Sequence, residues 1–212
     1  MITSNIGPWQ WQEIVSEIAK EWGKDEVELL NESVADLRVK YNEKKRRLVG
    51  QRAMIVDDSK MLRMVLEDWL SRAGINVVAR AENGYDAVKL FNSDEFYDYT
   101  FLNVAMPELD GIDALNDFKK DRPTRIIMVT STKTPELLLK SIKNGAHHAL
   151  FWPFDFSMVL SVMSDENSFS TAAYDKVAAR LGVMKLDGNG ELSQKQIFEL
   201  VAAASMKDVD EG

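Results

Sequence analysis

FLNVAMPELDG, residues 101–111, is a short apolar run that passes into a turn. The run predicts the end of a buried strand, and Pro107 with Asp110-Gly111 predicts the loop that follows it. In open α/β sheets, ligands bind outside the carboxyl ends of the strands, so Asn103 stands where chemistry is expected. An amide is neither a good nucleophile nor a base, which makes this edge an unusual reaction site.

The same alternation of strand and helix continues on both sides of this stretch. Predicted strands cover 53–56, 75–80, 99–103, 125–130 and 149–151, and predicted helices cover 59–73, 85–91, 112–119, 135–144 and 157–164. Five successive βα units predict an α/β fold in which helices cover both faces of a parallel sheet. We assign this domain to residues 50–165.

The preceding residues, 1–49, are predicted to be helical. A first helix has its apolar face at Trp11, Ile14, Val15, Ile18 and Trp22. In a second helix over 25–48, apolar residues follow a spacing of three and four, interrupted by Lys44. This pattern fits a helical hairpin that packs on its own domain or on the first helix, and it also fits a homodimerising coiled coil.

Composition limits the classes of function. The 212 residues carry a net charge of −8 and include no cysteine, which excludes thiol catalysis and thiolate zinc sites and suits a reducing cytoplasm. No apolar run is long enough to span a bilayer, and the first residues do not resemble a signal peptide. We therefore expect a cytoplasmic protein without a membrane or nucleic-acid partner, whose partners are proteins.

Polar residues follow several predicted strands. Asp57 and Asp58 follow the first strand, Thr130 ends the fourth, and Trp152 with Pro153 ends the fifth. Parallel topology brings these strand ends together with Asn103 at one edge of the sheet. Two adjacent carboxylates repel each other, and a Mg²⁺ ion with oxygen ligands would relieve that repulsion.

At this point the sequence resembles a known family. Residues 53–155 are similar to the receiver domain of bacterial response regulators, the flavodoxin-like module of two-component signalling. The resemblance rests on these motifs, in this order: MIVDDS at 54–59, AENGYDAV at 81–88, MPELDG at 106–111, IIMVTS at 126–131, NGA at 144–146 and PFD at 153–155. It implies a five-stranded flavodoxin-like sheet and a phosphorylation site at its carboxyl edge.

The resemblance also implies roles for individual positions. In the family, Mg²⁺ assists phosphoryl transfer to a strand-end aspartate, a lysine pairs with the phosphoryl group, and a hydroxyl and an aromatic ring respond to it. Asp57 and Asp58 occupy the metal-binding positions and Thr130 the hydroxyl position. Asn103 stands at the acceptor position, Trp152 at the lysine position and Ala149 at the position of the aromatic switch.

Each of these three departures has a chemical consequence. The amide oxygen of Asn103 is too weakly nucleophilic to form an acyl phosphate, and its lack of charge weakens Mg²⁺ binding. Trp152 offers no positive charge to a phosphoryl group, and we expect its indole to fill the cavity beside Asp57 and Asp58. Ala149 has no ring to transmit a switch. Asn103 alone would also fit an engineered change that blocks phosphorylation, but its occurrence together with Trp152 and Ala149 predicts a naturally degenerate pocket.

The fourth helix and fifth strand carry many large apolar residues. They include Leu137, Leu138 and Leu139 on the helix and Phe151, Trp152, Phe154 and Phe156 at and after the strand. In receiver domains this face is the usual output and dimer surface. We expect most of these side chains to be core, with a minority forming a surface for a partner or for a homodimer.

Two histidines precede the predicted fifth strand. Side chains at successive positions of a strand point to opposite faces, so His147 and His148 are poor joint ligands for a metal. We expect both to occupy a loop or the surface.

The last part of the chain, residues 166–212, is predicted to be a helix–loop–helix, with helices over 170–181 and 193–205. Its loop DGNGELS, residues 187–193, resembles the middle of an EF-hand calcium loop, in which Asp187, Asn189 and Glu191 would be the ligands. The outer positions disagree, because Lys185 and Gln196 stand where carboxylates are required. The alternative is a loop without a ligand, with Ser193 and Gln196 forming a capping box.

These observations favour a binding module over an enzyme. We expect a phosphorylation-independent pseudo-receiver that regulates or scaffolds a signalling protein and requires no cofactor. Weak Mg²⁺ binding at Asp57 and Asp58, or Ca²⁺ binding at the C-terminal loop, belongs to an alternative in which the protein senses a ligand or an ion. A DNA-linked response regulator is a further alternative, although residues 182–192 separate the last two predicted helices and a helix-turn-helix needs a shorter turn.

Overall fold

The computed structural model describes residues 48–164, 168–184, 186 and 188–205. Its core is a parallel sheet of five strands in the order β2-β1-β3-β4-β5. The strands are β1 Arg52–Val56, β2 Asn76–Ala81, β3 Tyr99–Asn103, β4 Arg125–Thr130 and β5 His148–Phe151. The predicted α/β fold and parallel sheet are confirmed.

Capping residues set where the helices begin. Asn83, Asp110 and Thr134 each accept a hydrogen bond from the backbone N–H group three residues ahead, as Ser59 does from Leu62 at 3.4 Å. The helices are α1 Lys60–Arg72, α2 Gly84–Phe91, α3 Gly111–Asp117, α4 Pro135–Lys143, α5 Phe156–Ser164, α6 Tyr174–Val183 and α7 Gln194–Ser205. A short 3-10 helix, Thr171–Ala173, precedes α6.

Helices cover both faces of the sheet. On one face, Leu66 and Leu70 of α1 and Val159 of α5 pack in one cluster with Ile55 and Phe101. On the other face, α2 and α3 bury side chains against β1, β3 and β4, and the rings of Phe91 and Phe118 stack 3.9 Å apart. β1, β3, β4 and β5 are therefore buried on both sides. The edge strand β2 is not, because Asn76, Val78 and Arg80 are exposed.

A third apolar cluster joins the C-terminal segment to the domain. The segment contributes Phe169, Val177, Leu181, Leu192, Ile197, Leu200 and Val201, and the domain contributes Leu138 and Ile142 of α4 and Ala149 and Phe151 of β5. The predicted C-terminal helices are present, and they cover the α4–β5 face. Of the residues predicted on this face, Leu138 and Phe151 are thus buried by the chain's own helices, whereas Trp152 is 37% exposed.

Polar contacts reinforce this cover along the free edge of β5. The side chain of Gln194 accepts a hydrogen bond from the Phe151 N–H group at 2.8 Å and donates one to the Ala149 carbonyl at 2.9 Å. Just before β5, the Phe169 N–H group donates to the carbonyl of His147 at 2.8 Å. An exposed strand edge can pair with another chain, and these bonds occupy that edge.

The prediction that His148 lies in a loop or at the surface is wrong. β5 begins one residue earlier than expected, because His148 pairs with Ile127 of β4 and is fully buried. Burial lowers the pKa of His148 to about 4, so the ring is neutral in the folded protein at neutral pH.

Most of the N-terminal segment lies outside the described residues, so the helical hairpin and the coiled coil over 25–48 stay predictions. Leu48 packs in the cluster beneath α1 and α5. Gly50 has a positive φ of 85°, and its N–H group donates to the Gly74 carbonyl at 2.8 Å, just beyond the end of α1. No helix in the described part of the chain is sufficiently long and apolar to span a bilayer.

Candidate functional site

The acidic pair lies at the carboxyl end of β1. Asp57 is buried and accepts a hydrogen bond from the Ser59 N–H group at 2.8 Å, whereas Asp58 is exposed. Burial raises the pKa of Asp57, and the charge of Asp58 adds to this rise, while the bond from Ser59 and the guanidinium of Arg63 oppose it. An anionic pair of this kind gains from any donor or cation that approaches it.

Asn103 supplies such a donor. Its amide nitrogen donates one hydrogen bond to Oδ1 of Asp58 at 3.1 Å and another to the carbonyl of Ala105 at 3.0 Å. An aspartate at this position would present only acceptors to Asp58 and would repel it. The structure therefore brings Asn103 and Asp58 together in direct contact.

The loop after β3 keeps a tightly specified backbone. A Cβ atom at Gly111 would lie 2.0 Å from the carbonyl oxygen of Asn103, so only glycine fits there. The Gly111 N–H group donates to the Val104 carbonyl at 2.8 Å, and Glu108 adopts a left-handed conformation with φ of 68°. The motif MPELDG thus fixes the backbone of the loop that follows Asn103.

Thr130 lies where the hydroxyl was predicted, at the end of β4. The residue is buried, and its Oγ1 accepts a hydrogen bond from the Thr132 N–H group at 3.0 Å. The threonine therefore also orders the loop that follows its own strand.

The indole of Trp152 contacts an aromatic ring that is not part of the acidic edge. We expected it to fill the cavity beside Asp57 and Asp58, but the ring contact in the structure is an edge-on one with Phe154, at 5.0 Å between centroids. Trp152 is 37% exposed, and Phe154 in turn contacts Trp69 of α1. Trp152 is thus the outer member of an aromatic row that leads to α1.

Ala149 stands at the position that the family resemblance assigns to the aromatic switch, and its side chain is buried. It is buried in the cluster formed with the C-terminal helices, and its carbonyl accepts the hydrogen bond from Gln194. The α7 helix therefore lies close to the strand on which an aromatic switch would move.

Sequence reasoning missed Arg63, whose side chain contacts the backbone of the acidic pair. The buried guanidinium donates to the carbonyl oxygens of Asp57 at 2.7 Å and Asp58 at 3.2 Å and forms an ion pair with Glu82. A signal was available, because Arg63 shares the core-facing side of α1 with Leu66 and Leu70 at helical spacing. A cation on such a face requires a buried partner.

The residues present fit a Mg²⁺ ion poorly. Such an ion prefers carboxylate oxygens, and the pocket offers two carboxylates, of which Asp58 already receives the Asn103 amide nitrogen. Across the residues described, no group of three or more His, Cys, Asp or Glu side chains could hold a metal. A Mg²⁺ ion that binds Oδ1 of Asp58 would compete with the Asn103 amide for that atom.

The C-terminal loop is only partly described, because Asp187 lies outside the described residues. Gly190 has a positive φ of 74°, and Leu192 is buried with its N–H group donating to the carbonyl of Lys133 at 2.8 Å. Ser193 and Gln196 exchange hydrogen bonds, which confirms the predicted capping box. Asn189 and Glu191 lie in this loop, and Ca²⁺ binding by it stays a prediction.

Comparison with known proteins agrees with this geometry. The model of the response regulator receiver domain matches residues 53–164. The chemotaxis protein CheY of Bacillus subtilis is 35% identical over 117 residues, which are 55% of this chain and 97% of that protein. CheY of Thermotoga maritima is 33% identical over the same shares of the two chains.

Solved structures give the same picture. A chain in the crystal structure of a CheX–CheY complex from Borrelia burgdorferi, with BeF₃ and Mg²⁺, superposes with a TM-score of 0.52 at 29% identity. The superposition covers 55% of this chain and 89% of that one. The part in common is thus the domain that carries Asp57, Asp58 and Asn103.

Proposed function

Since this chain belongs to the response regulator receiver domain family, we propose that it acts in signal transduction as a phosphorylation-independent pseudo-receiver. In this role it is not an enzyme and requires no cofactor. It works as a protein–protein interaction or regulatory module in two-component signalling.

One observation carries the proposal, the hydrogen bond from the Asn103 amide to Asp58 at 3.1 Å. Acyl phosphate formation needs an ionised carboxylate at this position, and an amide is too weak a nucleophile to replace it. The same amide supplies a donor to the carboxylate that would otherwise bind the metal. Asn103 thus removes the nucleophile that phosphotransfer needs and weakens the binding of the metal ion.

Trp152 supports the same conclusion from the other side of the pocket. A lysine at its position would place a positive charge against a phosphoryl group, and an indole has none. Restoring the acceptor alone would therefore leave the phosphorylated state without this charge partner.

A protein partner is the natural counterpart of such a module. The Borrelia burgdorferi CheY was solved in complex with CheX, so a receiver of this family can bind another protein. In this chain the α4–β5 face is buried by the C-terminal helices, so we propose that a partner binds another face of the receiver. A homodimer through residues 25–48 is compatible with this arrangement.

Intact-mass measurement after incubation with acetyl phosphate and Mg²⁺ tests the proposal. The wild-type chain should gain no phosphoryl group, and the Asn103→Asp variant should gain one only slowly. The double variant Asn103→Asp with Trp152→Lys should gain one readily, because it restores both the nucleophile and the charge partner.

The matched control is Asn76→Asp, which makes the same chemical change at an exposed position at the start of β2. It should stay unmodified. An acid-labile phosphoryl group on the wild-type chain would overturn the proposal.

A further inference from the structure

A second concave region lies at the opposite end of the sheet from the acidic pair. It has a volume of about 460 Å³ and is lined by Thr124 and Ile126 at the start of β4 and by His147 just before β5. Thr130, at the other end of β4, is four residues beyond Ile126, which corresponds to about 13 Å along a strand. This cleft is therefore separate from the degenerate pocket.

The charge of the cleft is one-sided. Lys119, Lys120, Arg122 and Lys143 line it, and none of its described lining residues is an aspartate or glutamate. The whole chain has a net charge of −8, so this concentration of cations runs against its average composition. A concave surface lined by one sign of charge attracts ligands of the other sign.

The contacts of these cations do not neutralise them. Lys119 Nζ donates to the Asn92 carbonyl at 2.9 Å, and Arg122 donates to the carbonyls of Ser93 and Glu95. Lys120 Nζ donates to the Leu115 carbonyl at 2.7 Å and the Asn144 carbonyl at 2.9 Å. Carbonyl oxygens hold the cationic groups in place but carry no full negative charge.

Burial destabilises the charged form of Lys120. Burial lowers the pKa of its ammonium group, and the charge of Asp117 only partly opposes that effect. An anion in the cleft would reverse the penalty by bringing an opposite charge to the same group.

His147 adds a directed donor. Its Nδ1 accepts a hydrogen bond from the Ile126 N–H group at 3.1 Å, so the neutral ring carries its hydrogen on Nε2. Asn116, Asn144 and Ser170 also line the cleft and bring amide and hydroxyl groups. The lining therefore combines fixed cations with neutral donors, as anion sites do.

The C-terminal segment supplies one wall. Phe169 and Ser170 line the cleft, and the Phe169 N–H group is bonded to the carbonyl of His147. Both residues lie beyond residue 164, where the match to the receiver family ends. The cleft is thus completed by a part of the chain outside the family domain.

We propose that this cleft binds a multiply charged phosphate compound, a di- or triphosphate group that is either free or carried by a nucleoside. Four cations match the charge of such a group, and the volume lies in the range of about 300–1,000 Å³ typical of small-molecule sites. The ligand would contact α4, the start of β4 and the C-terminal segment together, and so would tie the segment to the domain.

Lys143 and Lys140 give a matched pair of variants for the test. Both are exposed residues in the last turn of α4, but Lys143 lines the cleft and Lys140 does not. Lys143→Glu and Lys140→Glu change the net charge of the chain equally. A difference between them therefore reports on the cleft and not on overall charge.

The experiment is isothermal titration of the full chain, at low ionic strength, with tripolyphosphate and separately with ADP. The wild-type chain should bind at least one of the two saturably. Lys143→Glu should weaken that binding about tenfold or more, because it replaces an attraction with a repulsion, and Lys140→Glu should change it less than about twofold.

Each outcome decides the proposal. Equal affinity for the two probes supports a site for the phosphate group alone, and tighter binding of ADP supports a nucleotide site. The inference would be overturned if neither tripolyphosphate nor ADP bound at millimolar concentration. It would also be overturned if Lys143→Glu and Lys140→Glu weakened binding equally. Neither outcome depends on whether Asn103 can be phosphorylated.

Discussion

The acidic edge at Asp57 and Asp58 and the α4–β5 face present different features. At the acidic edge, Gly111 fits closely against the backbone of Asn103, and the Asn103 amide donates a hydrogen bond to Asp58. At the α4–β5 face, Ala149 is buried and the two C-terminal helices cover the surface. Under the proposed function, the first region cannot accept a phosphoryl group and the second is already occupied by the chain itself.

Asn103, Trp152 and Ala149 act together in the proposed function. A single amide at Asn103 would silence the input but would leave a movable ring and an open face at the output. Ala149 is instead buried in the cluster with the C-terminal helices, and its carbonyl accepts a hydrogen bond from Gln194 of α7.

The largest expected effect comes from opening the covered face. Ile197 of α7 is fully buried among residues of α4 and β5, so Ile197→Ala should lower the free energy of unfolding by about 2–5 kcal/mol. Urea denaturation measures this change. The exposed neighbour Glu199 offers a control, because Glu199→Ala should change stability by less than about 0.5 kcal/mol.

An equally small loss in both variants would mean that α7 is not part of the folded core. The α4–β5 face would then not be covered as described, and its contrast with the acidic edge would fail.

Acid should weaken the fold through His148. Its pKa of about 4 in the folded state lies below the ordinary 6.5, so the unfolded chain takes up the proton first. The stability that this residue contributes is complete above pH 6.5 and falls as the pH decreases, by about 3 kcal/mol at pH 4.

Denaturation curves between pH 7 and pH 4 measure this slope, and His148→Gln should flatten it. An unchanged slope in that variant would show that His148 is not the group responsible. Because His148 is on β5, the result reports on the stability of the covered α4–β5 face.

Removing the hydrogen bonds at the strand edge should have a smaller effect. Gln194→Ala leaves the Phe151 N–H group and the Ala149 carbonyl without their partner, so we expect a loss of about 1–3 kcal/mol. Hydrogen exchange of the Phe151 amide should accelerate in parallel. In the control Lys195→Ala, at an exposed position one residue away, that amide should exchange at the wild-type rate.

Much of the fold was predictable because its signals are local. The apolar runs of the strands, the caps at Ser59 and Thr134, and the capping box of Ser193 and Gln196 each depend on residues within a few positions. The start of β5 was missed because a histidine reads as polar, whereas tertiary contacts bury it.

The candidate site divides in the same way. Motif spacing located Asp57, Asp58 and Asn103, but it did not reveal which group of Asn103 faces the pair. The contact of Arg63 with Glu82 and the packing of α7 on β5 join residues far apart in sequence, and no local pattern encodes them. The sequence suggested the helices after residue 166 but not the face that they bury.

The smallest expected effect restores charge to the pocket. Asn103→Asp replaces a donor beside Asp58 with a third carboxylate, so stability without metal should fall by about 1 kcal/mol. Millimolar Mg²⁺ should recover this loss in the variant and leave the wild-type melting temperature unchanged. Equal Mg²⁺ stabilisation of both chains would show that the wild-type pocket already holds the ion.

Backbone amide NMR of the wild-type chain with Mg²⁺ and beryllium fluoride, a mimic of the phosphoryl group, tests the disarmed pocket most directly. The signals of residues 57–59, 103–105 and 130–132 should stay in place, while the same signals of the double variant Asn103→Asp with Trp152→Lys should shift saturably. Saturable shifts at these residues in the wild-type chain would contradict a receiver that works without phosphorylation.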